Sequence, residues 1–402
     1  MFTTFKISNF RTHIDTELKI QDITLIIGSN NSGKSNLLAA LRCFSKLVSK
    51  TFFDSDRDKT VNKSYYFGNK HSLSDNDKPI IFACEWQQNN TKINYQLELY
   101  CLNKEEEVYC KERLTINENK YENGFTNLSN ELLLRTIIQE QEQNKQTATF
   151  IDNFFRSLAS IYYYNFQPSS LKGQVKRTSK RIFHETIRGK HLNIANDIGR
   201  DGSNFQELIK YVKEEENETY NKFLGLLQEF ESSFVGILID KDGQTRWQFN
   251  MGNNNFPYYA ADKISDGLMK AAAVALLCAM KHPPAIIMIE EIENGINQKN
   301  LAKFLHWLTD TPNGSNKTQF IITSHSPSVI REFADRIDCV YNVHLKKKKG
   351  YVSEITNLND AIKPLVRFGA IKEEEVNEQN GIYHISPHAL TEMFYNGVLA
   401  EL

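Results

Sequence analysis

The chain has 402 residues, of which 40% are hydrophobic and 24% charged, the balance of a globular protein. Lys and Arg number 48 against 49 for Asp and Glu, a net charge of −1, so any nucleic-acid contact must come from a local patch. That composition excludes a disordered chain, a collagen-like chain and a disulfide-dense mini-protein, and the length gives a prior of two to three domains.

The first 20 residues predict two short strands, 2–10 and 14–20. Ile23–Ile27 is a continuous apolar run, the pattern of a buried parallel strand. It leads into Gly28-Ser29-Asn30-Asn31-Ser32-Gly33-Lys34-Ser35, after which Leu37, Leu38, Leu41, Phe44, Leu47 and Val48 recur at helical spacing. Residues 50–78 read as a loop. Residues 93–101 and 108–116 alternate apolar and polar, predicting an antiparallel sheet with one exposed face, which 80–87 join. Residues 130–159 and 203–232 read as helical, with a strand at Ile161–Phe166 between them. Lys172, Lys176, Arg177, Lys180, Arg181, Arg188 and Lys190 form a basic stretch against one acid, Glu185. Strands at 234–240 and 244–250 flank the turn Lys241-Asp242-Gly243. From residue 264 helices (266–281, 297–309 and one after Pro327) alternate with strands (285–290, 319–323 and 337–343), which predicts a parallel sheet faced by helices. Lys346–Lys349 reads as a solvated hairpin end, and Glu373-Glu374-Glu375 as a solvated helix start.

Cys43, Cys84, Cys101, Cys110, Cys278 and Cys339 include no CxxC pair and no zinc-ligand spacing, so they read as reduced thiols. The N-terminus lacks the layout of a signal peptide, and no apolar run approaches a membrane span; a cytoplasmic protein is expected.

Four constellations carry chemistry. Gly28–Ser35 matches GxxxxGK[ST] between a buried strand and a helix, the arrangement whose backbone N–H groups and helix N-terminus hold a triphosphate. There Lys34 would bridge the β- and γ-phosphates and Ser35 would ligate Mg²⁺. Two carboxylates, Glu290 and Glu291, end the apolar run Ala285–Ile289, where open α/β sheets bind ligands. Glu290 suits the Mg²⁺ shell and Glu291 a general base acting on water. Thr323-Ser324-His325-Ser326-Pro327 ends a second buried strand, and His325 could donate to a γ-phosphate. Lys263-Ile264-Ser265-Asp266-Gly267 precedes a helix; in isolation it is an ordinary N-cap, with anion-binding N–H groups as the functional alternative.

These motifs, in this order, resemble the ABC-type ATPases of the RecF/SMC/OLD-like group. Ile7-Ser8-Asn9-Phe10-Arg11, the loop GxNxxGKSNLL and Asp201-Gly202-Ser203-Asn204-Phe205 resemble that group in particular. The resemblance spans residues 1–49 and about 200–343. It departs from the usual EEPE and HP motifs at Ile292 and Asn297-Gln298, and its signature reads ISDG.

The resemblance implies an α/β fold: an ABC-type P-loop NTPase head with a parallel core sheet, an antiparallel β lobe and an inserted helical lobe. The head would comprise 1–166 and 234–345, the helical and basic insertion 167–233, and a C-terminal extension 346–402. Gly28, Ser29, Asn30, Asn31, Ser32, Gly33, Lys34 and Ser35 become the Walker A loop, Ser265 and Gly267 the signature. Glu290 becomes the Walker B acid, Glu291 the catalytic acid, His325 the switch histidine, and Gln167 a Q-loop ligand of nucleotide and metal. ATP and Mg²⁺ are the implied cofactors, in a head-to-tail homodimer or higher homo-oligomer where Ser265 and Gly267 of one copy cover the ATP of another. The 77 residues after His325 show no DxD motif and fall short of a TOPRIM nuclease domain. The chain thus resembles the stand-alone ATPase subunits of anti-phage systems of the Septu or PARIS type, gating a separate effector, a nuclease. Apolar positions Leu365, Val366, Phe368, Ile371, Met393, Phe394 and Leu399 are candidates for docking it, or for plain core packing. The alternative is a RecF-like DNA-binding ATPase of repair or recombination, contacting DNA or RNA phosphates through 172–190.

Overall fold

The computed structural model describes residues 1–53, 78–101, 108–127, 145–174, 184–187, 190–193, 198–310, 318–348, 350–369 and 371–401. The chain divides into two compact units, Met1–Ile161 with Pro284–Met288 and Gln319–Leu402, and Tyr162–Pro283 with Ile289–Thr318.

The first unit opens with β1 (Phe2–Phe10), β2 (His13–Lys19), β3 (Ile23–Ile27) and helix α1 (Lys34–Phe53). β4 (Ile80–Gln88), β5 (Thr91–Cys101), β6 (Val108–Ile116), β7 (Asn119–Glu122) and β8 (Thr126–Asn127) follow, then helix α2 (Lys145–Ala159). β1 and β2 join the lobe strands in one antiparallel sheet, order β2-β1-β4-β5-β6-β7, with β8 also paired to β6. The predicted alternation buries one face: Ile93, Tyr95, Leu97 and Leu99 are each at most 1% exposed. Against that face lies the apolar stripe of α1. Phe44 stacks on Phe82 and Tyr95 with ring centroids 5.4 and 5.8 Å apart, and Phe154 of α2 meets Tyr95 edge-on at 6.0 Å. This aromatic core accounts for the spacing of Leu37, Leu38, Leu41, Phe44, Leu47 and Val48, all buried. The expected loop over 50–78 and helix over 130–159 lie partly outside the described residues.

In the second unit β9 (Ile161–Tyr164), which starts in the first, leads to a one-turn helix α3 (Pro168–Leu171). A small antiparallel hairpin, β10 (His184–Ile187) and β11 (Lys190–Asn193), comes next. The helical stretch at 203–232 is two helices, α4 (Phe205–Glu215) and α5 (Asn217–Phe230), broken at Glu216. Glu216 leaves the helical conformation (φ −130°, ψ 65°), its N–H donating to the Val212 carbonyl and its carbonyl accepting from the Tyr220 N–H. β12 (Phe234–Ile239), β13 (Thr245–Phe249) and β14 (Tyr258–Ala260) form a three-stranded antiparallel sheet. Helix α6 (Asp266–Ala279) is buried from Leu268 to Ala279. Strand β15 (Ile286–Ile289) enters this unit at Ile289, and helix α7 (Gln298–Asp310) completes it; its Asn300 amide donates to the Phe230 carbonyl at 3.1 Å.

The chain then returns to the first unit with β16 (Gln319–Thr323), a short helix α8 (Pro327–Arg331), β17 (Val340–Lys348) and β18 (Gly350–Asn357). The second sheet has the order β18-β17-β3-β16-β15-β9. β3 is parallel to both β16 and β17, and β3, β15 and β16 are buried throughout, as their continuous apolar runs require. Helix α9 (Leu358–Arg367), hairpin β19 (Val376–Gln379) and β20 (Ile382–Ile385), and helices α10 (Pro387–Tyr395) and α11 (Val398–Glu401) end the chain. Of the apolar positions weighed for docking, Ile371, Met393 and Leu399 are buried and Phe368 is 87% exposed. Among the described residues no helix is long and apolar enough to cross a membrane. Five cysteines (Cys43, Cys84, Cys110, Cys278 and Cys339) are buried and free; the Cys101 side chain lies outside the described residues.

Candidate functional site

The loop after β3 takes its shape from backbone that only glycine allows. Gly28 has φ +140° and Gly33 φ +114°. A Cβ on Gly28 would stand 2.1 Å from the Val343 carbonyl oxygen, and one on Gly33 would stand 2.0 Å from Ser353 Oγ. Ser353 of β18 donates to the Ser32 carbonyl at 2.7 Å, while His13 Nε2 meets the Gly33 carbonyl at 3.1 Å. The His13 ring is fully buried, and desolvation holds its pKa below the ordinary value of 6.5, so it stays neutral and Nε2–H is the donor. The turn between β1 and β2 holds the first turn of α1. Arg11 donates to Asn36 Oδ1 at 3.1 Å, and Asn36 donates to Thr12 Oγ1 at 3.0 Å.

Within the loop Lys34 is 7% exposed, and its ammonium donates to the carbonyls of Gly28 and Ser29 at 2.9 and 2.8 Å. The cation thus sits over the concave side of the loop, next to the first turn of α1. Ser32 Oγ is buried with no hydrogen-bond partner, and Ser35 is exposed. A buried hydroxyl without a partner costs free energy unless a ligand satisfies it. With the left-handed glycines and the enclosed ammonium it fits a bound triphosphate, and the exposed Ser35 hydroxyl fits a metal ion carried with it. On the neighbouring parallel strand β16, Ser324 donates its N–H to the Ile26 carbonyl at 3.1 Å and accepts from the N–H of Ser326 at 2.9 Å. That turn fixes His325 at the same end of the sheet as the loop after β3.

The carboxylates are held in the second unit. Tyr163 of β9 donates its hydroxyl to Glu290 Oε2. Burial first, and the Glu290 hydrogen bond second, push that hydroxyl up to about 12, so it remains a donor at neutral pH. The guanidinium of Arg200 lies 4.6 Å from the Tyr163 ring centroid. Glu291 has φ +48°, a left-handed conformation uncommon outside glycine and asparagine. Its carbonyl accepts from Lys270 Nζ at 2.6 Å and from the Asn294 N–H at 3.0 Å, and Asn294 Nδ2 donates to Glu291 Oε2. Sequence reasoning missed Tyr163, Lys270 and Asn294. Tyr163 sits in an aromatic run, Ile161-Tyr162-Tyr163-Tyr164, that reads as packing, and nothing in its spacing points to a partner 127 residues away.

Ser265 is the N-cap of α6, its Oγ accepting from the Leu268 N–H at 3.3 Å. The capping function and an exposed N-terminal turn therefore coexist. Gly267 is required sterically, because a Cβ there would lie 2.0 Å from the Gly295 carbonyl oxygen. Lys172, the first member of the basic stretch, pairs with Asp266 in this turn at 2.6 Å. The side chains of Lys176, Arg177, Lys180, Arg181, Arg188 and Lys190 lie outside the described residues. Gln167 is exposed; its amide donates to Asn165 Oδ1 at 3.0 Å and its backbone N–H to the Asp201 carbonyl at 3.1 Å.

The segment 201–205 is a turn built for shape. Gly202 (φ +82°) leaves room for Leu171, Asp201 accepts from the Ser203 N–H at 3.1 Å, and Asn204 accepts from the Gly199 N–H at 2.5 Å. Among the described residues no group of three or more His, Cys, Asp or Glu side chains could hold a metal ion unaided.

A family model described as "AAA domain, putative AbiEii toxin, Type IV TA system" matches residues 23–331. No curated protein matches the chain. Among solved structures, an SMC head bound to the C-winged helix domain of ScpA aligns over 90% of this chain and 99% of its own, with a TM-score of 0.50 at 13% identity. The SMC head domain from Thermotoga maritima aligns over 89% and 98% respectively, with a TM-score of 0.47 at 14% identity. The fold is that of an ABC-type ATPase head, as the sequence motifs implied.

Proposed function

Because the chain belongs to this AAA-domain family, we propose that it binds ATP with Mg²⁺ on the loop Gly28–Ser35 and hydrolyses it slowly as a conformational switch. The observation that carries the reading is the loop itself: an enclosed Lys34 ammonium, a buried Ser32 hydroxyl without a partner, and two glycines at positive φ whose Cβ positions neighbouring atoms occupy. Lys34 neutralises and orients the β- and γ-phosphates. Ser35 and Glu290 would hold the metal ion, with Gln167 as a further candidate ligand, and Tyr163 holds the Glu290 carboxylate through its hydrogen bond. When bound, Mg²⁺ supplies charge neutralisation on the phosphate oxygens. Glu291 accepts the proton of the attacking water, and His325 donates a hydrogen bond to the γ-phosphate.

Ser265 and Gly267 of a second copy close over the nucleotide, so that ATP joins two chains head to tail and hydrolysis parts them. The output is control of a separate effector, a nuclease, in anti-phage defence. Two things support a partner. The family description reads "putative AbiEii toxin, Type IV TA system", and an SMC head of this fold has been crystallised bound to the C-winged helix domain of ScpA.

Two substitutions test the core of this. Lys34→Ala should abolish binding of a fluorescent ATP analogue. Glu291→Gln should keep binding, stop turnover and shift the protein to a dimer with ATP in sedimentation. Parental turnover by Glu291→Gln would overturn the assignment of the base. Co-expression with the product of a neighbouring nuclease gene should restrict phage plating only when Lys34 is intact.

A further inference from the structure

The N-terminal turn of α6 and the turn after β15 form one continuous piece of packing in the second unit. Gly267 lies so close to Gly295 that no side chain fits between them. One helical turn further on, Lys270 is 8% exposed and spends its ammonium on the backbone carbonyl of Glu291. A lysine buried in an apolar helix loses much hydration, and burial lowers its pKa to about 8 against the opposing pull of Glu293 and Glu291. Core packing alone would favour Leu or Met at this place, since every residue from Leu268 to Ala279 is buried. The bond instead reaches a residue at φ +48°, whose side-chain oxygen is fastened by Asn294 and whose carbonyl also receives the Asn294 N–H. Glu291 therefore has its backbone set by Lys270 and its carboxylate set by Asn294.

We infer that Lys270 is a positioning residue that ties the Ser265–Gly267 turn to Glu291, so that contact made by that turn with the triphosphate of a second copy is felt at the general base of its own chain. The inference rests on the ATPase reading above and adds to it a route: turn, buried ammonium, Glu291 carbonyl, Glu291 carboxylate. Lys270 acts through the Glu291 carbonyl, on which its ammonium is spent. Its loss should leave the loop Gly28–Ser35 able to bind and the Ser265–Gly267 turn able to engage, while the base is no longer held for proton abstraction.

The test uses the full chain. Lys270→Met keeps length and removes the donor. Expected are an unchanged Kd for a fluorescent ATP analogue, an ATP-dependent dimer in sedimentation, an unchanged KM and a kcat lowered at least tenfold, with Lys270→Arg recovering most of it. In a Glu291→Gln background, where turnover is already lost, Lys270→Met should leave the analogue Kd and the ATP-dependent dimer unchanged, because both act on one step after binding. Asn294→Ala, at an exposed position that does not threaten folding, should lower kcat with KM unchanged in the same way. Should Lys270→Met not fold, the Asn294 variant and the Arg variant decide the matter. Turnover within twofold of the parent in a folded Lys270→Met or Asn294→Ala, or a fall in binding that matches the fall in turnover, would overturn the coupling. A parent chain that neither binds nor hydrolyses ATP would instead remove the ATPase reading, an outcome distinguishable from the first.

Discussion

The phosphate-loop region and the carboxylate turn are built on opposite plans. The loop Gly28–Ser35 is shaped by backbone: glycines at positive φ, and carbonyls taken up by Lys34, His13 and Ser353. The turn at Glu290–Gly295 is shaped by side chains reaching in from other elements, Tyr163 from β9 and Lys270 from α6. A backbone-built site tolerates almost no change at its own positions. A site held by side chains can be retuned one support at a time, because each support contributes a single bond. On the function proposed above, binding would depend on the first plan and turnover on the second.

The sharpest way to break this contrast is Gly28→Ala. The added Cβ would press on the Val343 backbone carbonyl, which cannot swing aside, at a φ that alanine avoids. We expect loss of nucleotide binding and about 3 kcal/mol of stability, read from analogue titration and denaturant melts. A parent-like protein would show the loop to be less constrained than its packing indicates. Tyr163→Phe should be milder. Removing one hydrogen bond to a carboxylate is worth about 1.5–3 kcal/mol, so turnover should fall roughly tenfold or somewhat more while binding persists. If binding without Mg²⁺ weakened as much as turnover, the hydroxyl would be acting on the loop rather than on Glu290. Ser265→Ala removes an N-cap and should cost about 1 kcal/mol in thermal or chemical melts.

The smallest effect concerns pH. His13 is buried neutral with its pKa held below 6.5, so the unfolded chain binds more protons as pH falls beneath 6.5. Stability should therefore decline from about pH 6.5 downward, and His13→Gln should flatten that slope. Melts of both proteins between pH 7 and 5 would show it; parallel slopes would mean the ring is not the proton acceptor.

What could be read from the residues alone follows the same division. Gly28–Ser35 was legible because its chemistry is contained in eight consecutive positions. The strands β3 and β16 were legible because burial on both faces leaves an unbroken apolar run. The break at Glu216 was not, since a helical apolar pattern runs on through both α4 and α5 and only the backbone departs from it. β14 and the hairpin β10–β11 carry too few residues for alternation to show. Tyr163 and Lys270 act through single long-range bonds, which leave no period in the sequence. In the Asp201–Phe205 segment, picked out as a family-like motif, Asp201 accepts from the Ser203 N–H and Asn204 from the Gly199 N–H, while Ser203 Oγ is buried without a partner.

Strand β3 lies between β16 and β17, so the segment that launches the phosphate loop finds its sheet neighbours only about 295 residues later in the chain. During synthesis at roughly 5–20 residues per second, Ile23–Ile27 would wait on the order of 15–60 s outside the ribosome with its apolar faces uncovered and its backbone edges unpaired. A nascent polypeptide at that stage needs shielding, and prematurely terminated copies ending before Gln319 could neither seat this strand nor compete for nucleotide with finished ones.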